Sequence, residues 1–146
     1  IHTAYLADKV ARSLGIDDAA VKACGYYNRI GKLKGENTWE NVSAICDKYH
    51  FPPKTRHILQ EYVDPDVKMV SREAVVVLLA DCIVSSILYL FSKNPKAELN
   101  YEQLIDTVFK KEFETDELYS NEISLAQLCA MKKIFLQEKL YYDFLR

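Results

Sequence analysis

The stretch that most constrains this chain is residues 74–91, AVVVLLADCIVSSILYLF, whose single charge, Asp81, falls near the middle. A helix that is apolar on nearly every face is buried on nearly every face, so the run predicts the central helix of an all-α fold. Length alone would let it cross a bilayer. The central carboxylate and a mean hydropathy of −0.16 for the chain argue for a protein core instead. A lone carboxylate in such a place is costly unless a cation, a metal or a set of donors meets it. What Asp81 faces is therefore the question on which function turns. The plainer answer is a satisfied core carboxylate with no chemistry.

The 146 residues suit one domain spanning 1–146, large enough to bury a core without staples. The net charge of −2 and pI of about 5.9 provide no strong field for duplex nucleic acid or anionic lipid. Cys24, Cys46, Cys82 and Cys129 lie far apart, with no CxxC pair and no metal-knuckle spacing. Scattered thiols on apolar faces read as small core residues in a reducing, cytoplasmic compartment. The chain opens on Ile1 inside a helical pattern and carries no signal peptide. The expectation is a piece of a longer protein, with any membrane contact made by a region outside it.

Apolar residues Leu6, Val10 and Leu14, with Ala4, Ala7 and Ala11 beside them, predict a first helix closed by Gly15. Asp17 or Asp18 can cap a second helix running to about Leu33, with residues 32–37 as loop. A third covers residues 39–49, with Trp39, Val42, Ile45, Cys46 and Tyr49 on one stripe, and a fourth runs from Pro53 to about Tyr62. Ser71 caps the central helix, and Asn94 and Pro95 close it. Asn100 caps residues 101–113, residues 115–122 read as an acidic loop, and Ser124 caps one last helix to the end of the chain. No alternating strand, internal repeat or low-complexity tract is present.

Local catalytic signatures are absent: no HExxH, no Gly-rich phosphate loop, no nucleophile motif. His50 and His57 sit among Lys48, Lys54 and Arg56 and read as surface residues. His2 differs, lying on an Ala-rich helix that must pack closely, although a lone His is more often structural than a ligand.

His2 at a helix start, GYYNRIGKL at residues 25–33 and LLADCIVSS at residues 78–86 follow one another in an order that resembles the HD phosphohydrolase superfamily. The closer resemblance is to the cytoplasmic domain of the seven-transmembrane HD proteins, the PgpH-like cyclic di-AMP phosphodiesterases. The tail, ELYSNEISLAQLCAMKKIFLQEKLYYDFLR, is similar to that family's acidic loop and closing helix. The resemblance implies a helical fold and a pocket of His2, Asn28, Arg29, Lys32 and Asp81. In active members such a pocket holds a divalent metal, manganese or iron, that activates water against phosphate esters.

The chain departs from that pattern where the chemistry should be. His2 and Asp81 match the first and last ligands, but the His-Asp doublet reads Asn28-Arg29, and Arg has no lone pair to give. A family His pair after the fourth helix reads Glu61-Tyr62. The segment between Lys34 and Trp39 is short, and a further His is missing with it. Two candidate ligands do not hold a catalytic metal tightly. Exchanging Asp for Arg also makes the pocket more positive by two units. These substitutions lead to four expectations: Arg29 forks onto Asp81 in place of a metal, His2 lies beside them, Lys32 reaches the rim, and removing one member of a buried pair costs about 3–5 kcal/mol. The implied function is a degenerate, non-catalytic domain that binds a nucleotide or protein partner and has no cofactor. The alternative is a metal-dependent phosphohydrolase acting on cyclic dinucleotides or other phosphodiesters.

Overall fold

Short polar side chains set the helix boundaries. In the computed structural model, which describes residues 1–113 and 123–146, Asp17 rather than Asp18 accepts the Ala20 N–H at 3.1 Å and starts α2 (Asp18–Tyr27). Thr38 starts α3 (Trp39–Lys48) and Ser71 starts α5 (Arg72–Lys93) in the same way. Asn100 does so for α6 (Tyr101–Phe113), and Ser124 with Gln127 forms a reciprocal box at the head of α7 (Leu125–Gln137). Gly15, at φ 65°, ends α1 (His2–Leu14) in the left-handed conformation that glycine adopts freely. Pro52 and Pro53 open α4 (Pro53–Val63), and a short α8 (Lys139–Phe144) closes the chain. Among the described residues there are eight α-helices and no strand. The expected acidic loop, residues 115–122, lies outside the described residues.

Two boundaries differ from the sequence reading. α2 stops at Tyr27, and a 3-10 turn, Ile30–Lys34, follows. The reason is Asn37, whose side chain accepts the Gly31 N–H at 3.0 Å and donates to the Asn28 carbonyl at 2.8 Å. Backbone groups that a longer helix would have paired are satisfied from outside it. The last helix breaks at Glu138, because the Phe135 carbonyl accepts the buried Tyr142 hydroxyl at 2.6 Å.

α5 packs against α1, α2, α4 and α6, and Val76, Leu79 and Ile83 are fully buried. Its length and hydropathy would suit a membrane span, yet its first half is the centre of the protein core. The second half corrects the expectation of burial on every face: Leu88, Tyr89 and Leu90 are 39%, 61% and 38% exposed. At 22 residues α5 outruns α1, α2 and α4, which have 13, 10 and 11, so its last turns leave the layer that surrounds the first. Cys24 and Cys46 are core residues and Cys82 is half-buried, but Cys129 is exposed. α1 lies close on α2 because Ala4, Ala7 and Ala11 are small and because Gly25 has no side chain. A Cβ at Gly25 would stand 2.6 Å from the Ala4 Cα.

Candidate functional site

That close crossing of α1 on α2 carries Thr3 to the middle of α5. The early end of α2 leaves Asn28 and Arg29 in a turn pinned by Asn37. The last turn of α4 is held by Glu61, whose buried Oε1 accepts the N–H groups of Val70 and Ser71 at 2.7 and 2.9 Å. Three elements thereby bring donors to Asp81. The Arg29 Nη2 donates to both carboxylate oxygens, at 3.4 and 3.2 Å. The Tyr62 hydroxyl donates to Oδ2 at 2.9 Å, and the Thr3 hydroxyl to Oδ1 at 3.3 Å. Burial, and then the charge on Asp81, push the Tyr62 phenol well above its ordinary range, so it remains a neutral donor. Asn28 is buried beside Tyr62.

The geometry corrects the sequence reading in two ways. His2 is exposed, and its Nδ1 lies 2.8 Å from the Tyr141 hydroxyl, so its neighbour Thr3 meets Asp81 instead. Lys32 is exposed on the 3-10 turn. The Arg29–Asp81 pair is not buried at both ends: the Asp81 side chain is 17% exposed, the Arg29 side chain 55%. A guanidinium half in water contributes about 1 kcal/mol or less, not the value of a buried pair. His50 and His57 are both exposed.

Thr3 and Tyr62 are the site residues that sequence reasoning missed. Thr3 had a signal, as a polar residue on a face that has to pack closely. Tyr62 stood in the Glu61-Tyr62 doublet, where a missing His pair drew attention to what was lost and not to what was present. A cavity of about 520 Å³ shares Tyr62 with the cluster and is walled by Glu61, Asp64, Lys68, Leu78 and Glu112, without any of the five expected pocket residues.

The donor set decides whether the divalent metal of HD enzymes fits. Around Asp81 stand a guanidinium, a phenol and an aliphatic hydroxyl. Only the carboxylate is a strong metal ligand, and a fixed cation already occupies it. Among the described residues no group of three or more His, Cys, Asp or Glu side chains could hold a metal. These residues do not fit the metal.

No protein-family profile and no curated protein matches the chain. The fold is that of an HD domain. The HD domain of the L. monocytogenes phosphodiesterase PgpH superposes with a TM-score of 0.76 at 13% identity, covering 96% of this chain and 90% of that one. The same domain in complex with cyclic-di-AMP gives 0.74 at 14% identity, covering 96% and 88%. At such identity the likeness establishes the fold.

Proposed function

We propose that the chain is a non-catalytic HD-like domain that binds a nucleotide or a protein partner in signalling, as the cytoplasmic part of a longer, membrane-associated protein. The observation that carries this reading is the Arg29 guanidinium on Asp81, the position that resembles the last metal ligand of the active enzymes. A nucleotide is favoured because the PgpH domain of the same fold is seen with cyclic-di-AMP. Arg29 also has the means to receive a phosphate. It engages Asp81 through Nη2 alone, and its side chain is 55% exposed. Tyr62 and Thr3 keep the carboxylate hydrogen-bonded if the guanidinium turns to an anion. Calorimetric titration with cyclic di-AMP and with linear dinucleotides, beside a turnover assay with added manganese, magnesium or iron, tests the reading. The expected result is binding without turnover, weakened by Arg29→Ala. Turnover that disappears in Asp81→Ala would overturn it and restore the metal-dependent phosphohydrolase.

A further inference from the structure

Tyr49 caps α3, and His50, at φ 54°, turns the chain back in the left-handed conformation. The Phe51 N–H then donates to the Cys46 carbonyl at 3.0 Å, and Tyr49 and Phe51 both line a hollow of about 470 Å³. Tyr27, at the end of α2, and Leu33, on the 3-10 turn, line it as well, and the Tyr27 and Phe51 ring centres lie 5.2 Å apart. Leu33 is 81% exposed and Tyr49 63%. Tyr26, exposed beside Tyr27, carries the apolar surface beyond the hollow. Exposed aromatic and aliphatic side chains gathered in this way on a folded chain mark a face that something covers.

Charge selects the occupant. Among the described residues the hollow is also lined by Lys34 and Lys48 and by no acid. Neither lysine makes a salt bridge among the described residues, whereas Lys9, Lys54 and Lys132 each do. Lys48 stands 5.3 Å from the centre of the Tyr49 ring, and its neighbour Asp47 is turned to Arg56. Glu36 and Glu40 follow the 3-10 turn in sequence but do not line the hollow. Two uncompensated cations beside aromatic rings, on a chain whose net charge is −2, call for an occupant that brings its own carboxylates. A second copy laid on this face would bring lysine to lysine. A bilayer surface would leave the hollow unfilled, and a small molecule would fill it but leave Tyr26 bare. We infer that the hollow docks an acidic peptide segment of a partner protein, its apolar side chain seated among the rings and its carboxylates on Lys34 and Lys48. This goes beyond the function proposed above: Thr3, Arg29, Tyr62 and Asp81 do not line the hollow, so either reading can fail without the other.

Selection of a random library of peptides of about 12 residues on the immobilised chain, followed by fluorescence anisotropy of the recovered peptides, tests the inference. The recovered sequences are expected to combine Asp or Glu with Leu, Phe or Trp. Lys34→Glu with Lys48→Glu is expected to raise their Kd at least roughly tenfold, because two attractions become two repulsions. Lys133→Glu with Lys139→Glu makes the same change of net charge at exposed positions on α7 and α8, and should leave the Kd within roughly twofold. Tyr49→Ser should weaken binding with both hollow lysines in place, and carries the test if the Lys34 and Lys48 variant does not fold. No recovered peptide, recovered peptides without acidic residues, or a Kd unchanged by Lys34→Glu with Lys48→Glu or by Tyr49→Ser would each overturn the assignment. So would an equal loss in the Lys133 and Lys139 variant, which would show attraction to the chain's charge at large. Sedimentation of the wild type, but not of Lys34→Glu with Lys48→Glu, with phosphatidylserine vesicles would also overturn it and give the face to an anionic bilayer.

Discussion

Tyr62 donates its hydroxyl to Asp81 at 2.9 Å, tying the last turn of α4 to the middle of α5. With Thr3 bonded to the other carboxylate oxygen, the orientation of Asp81 is set by two neutral hydroxyls from helices that the core already holds. Arg29 supplies charge to a carboxylate already in place, from a turn at the surface.

It follows that Arg29 and Tyr62 contribute unequally to stability. Arg29→Ala should cost about 1 kcal/mol or less, because the guanidinium is half in water. Tyr62→Phe should cost about 1–3 kcal/mol, because it removes a partly buried donor and leaves a partly buried carboxylate short of one bond. Urea melts of the two variants measure both. Equal losses would mean that Arg29, not the hydroxyls, holds the cluster together.

The close approach of α1 to α2 at Gly25 gives a second prediction. A Cβ at Gly25 would lie 2.6 Å from the Ala4 Cα and 2.9 Å from its nitrogen, both backbone atoms that cannot turn aside. Gly25→Ala should therefore push α1 off α2 and destabilise the chain by about 1–3 kcal/mol, against the usual gain from replacing a helical glycine. The same shift withdraws Thr3 from Asp81, so the variant should also weaken any ligand that binds at this site. A thermal melt above that of the wild type would refute the close-packing account.

Helix identity was legible because its signals are local. The caps Asp17, Ser71, Asn100 and Ser124 act within three residues of themselves, and the apolar run that contains Val76 and Leu79 needs no partner to be recognised. What was not legible depends on partners distant in sequence or on small angles. Asn37 ends α2 from nine residues beyond Asn28, and Thr3 meets Asp81 across 78 residues. Neighbours on a helix point about 100° apart, so a one-position difference decided that Thr3 and not His2 faces the carboxylate. The bare end of α5 followed from the shorter lengths of the helices around it, which its own periodicity does not record.

Alkaline pH should expose the buried phenols. The folded Tyr62 and Tyr142 are held well above their ordinary value by burial, while in the unfolded chain they ionise near 10. Above that pH the unfolded state binds fewer protons than the folded one, so stability is full below about 10 and falls as pH rises further. Urea midpoints between pH 8 and 11 should decline, and Tyr62→Phe should flatten part of the decline. A slope unchanged in Tyr62→Phe would show that its hydroxyl is not buried in the folded state.

The metal question has a constructive test. In the wild type a divalent ion at Asp81 would have to displace a guanidinium 3.2 Å away, and it would gain one strong ligand by doing so. Arg29→Asp with Asn28→His removes the cation, changes the local charge by two units and offers a carboxylate and an imidazole beside Asp81. Three such ligands are the least that a catalytic site commonly uses. Without metal the variant should be less stable than the wild type, since two carboxylates then face each other. Added cobalt should raise its melting temperature and produce visible absorption, because an ion bound only by the folded state stabilises that state. The wild type should show neither effect at the same concentration. Hydrolysis of cyclic di-AMP is expected from neither protein, because the Glu61 Oε1 is committed to the backbone N–H groups of Val70 and Ser71 and the Tyr62 hydroxyl to Asp81. Cobalt binding by the wild type as tight as by the variant would show that Arg29 does not bar metal from Asp81.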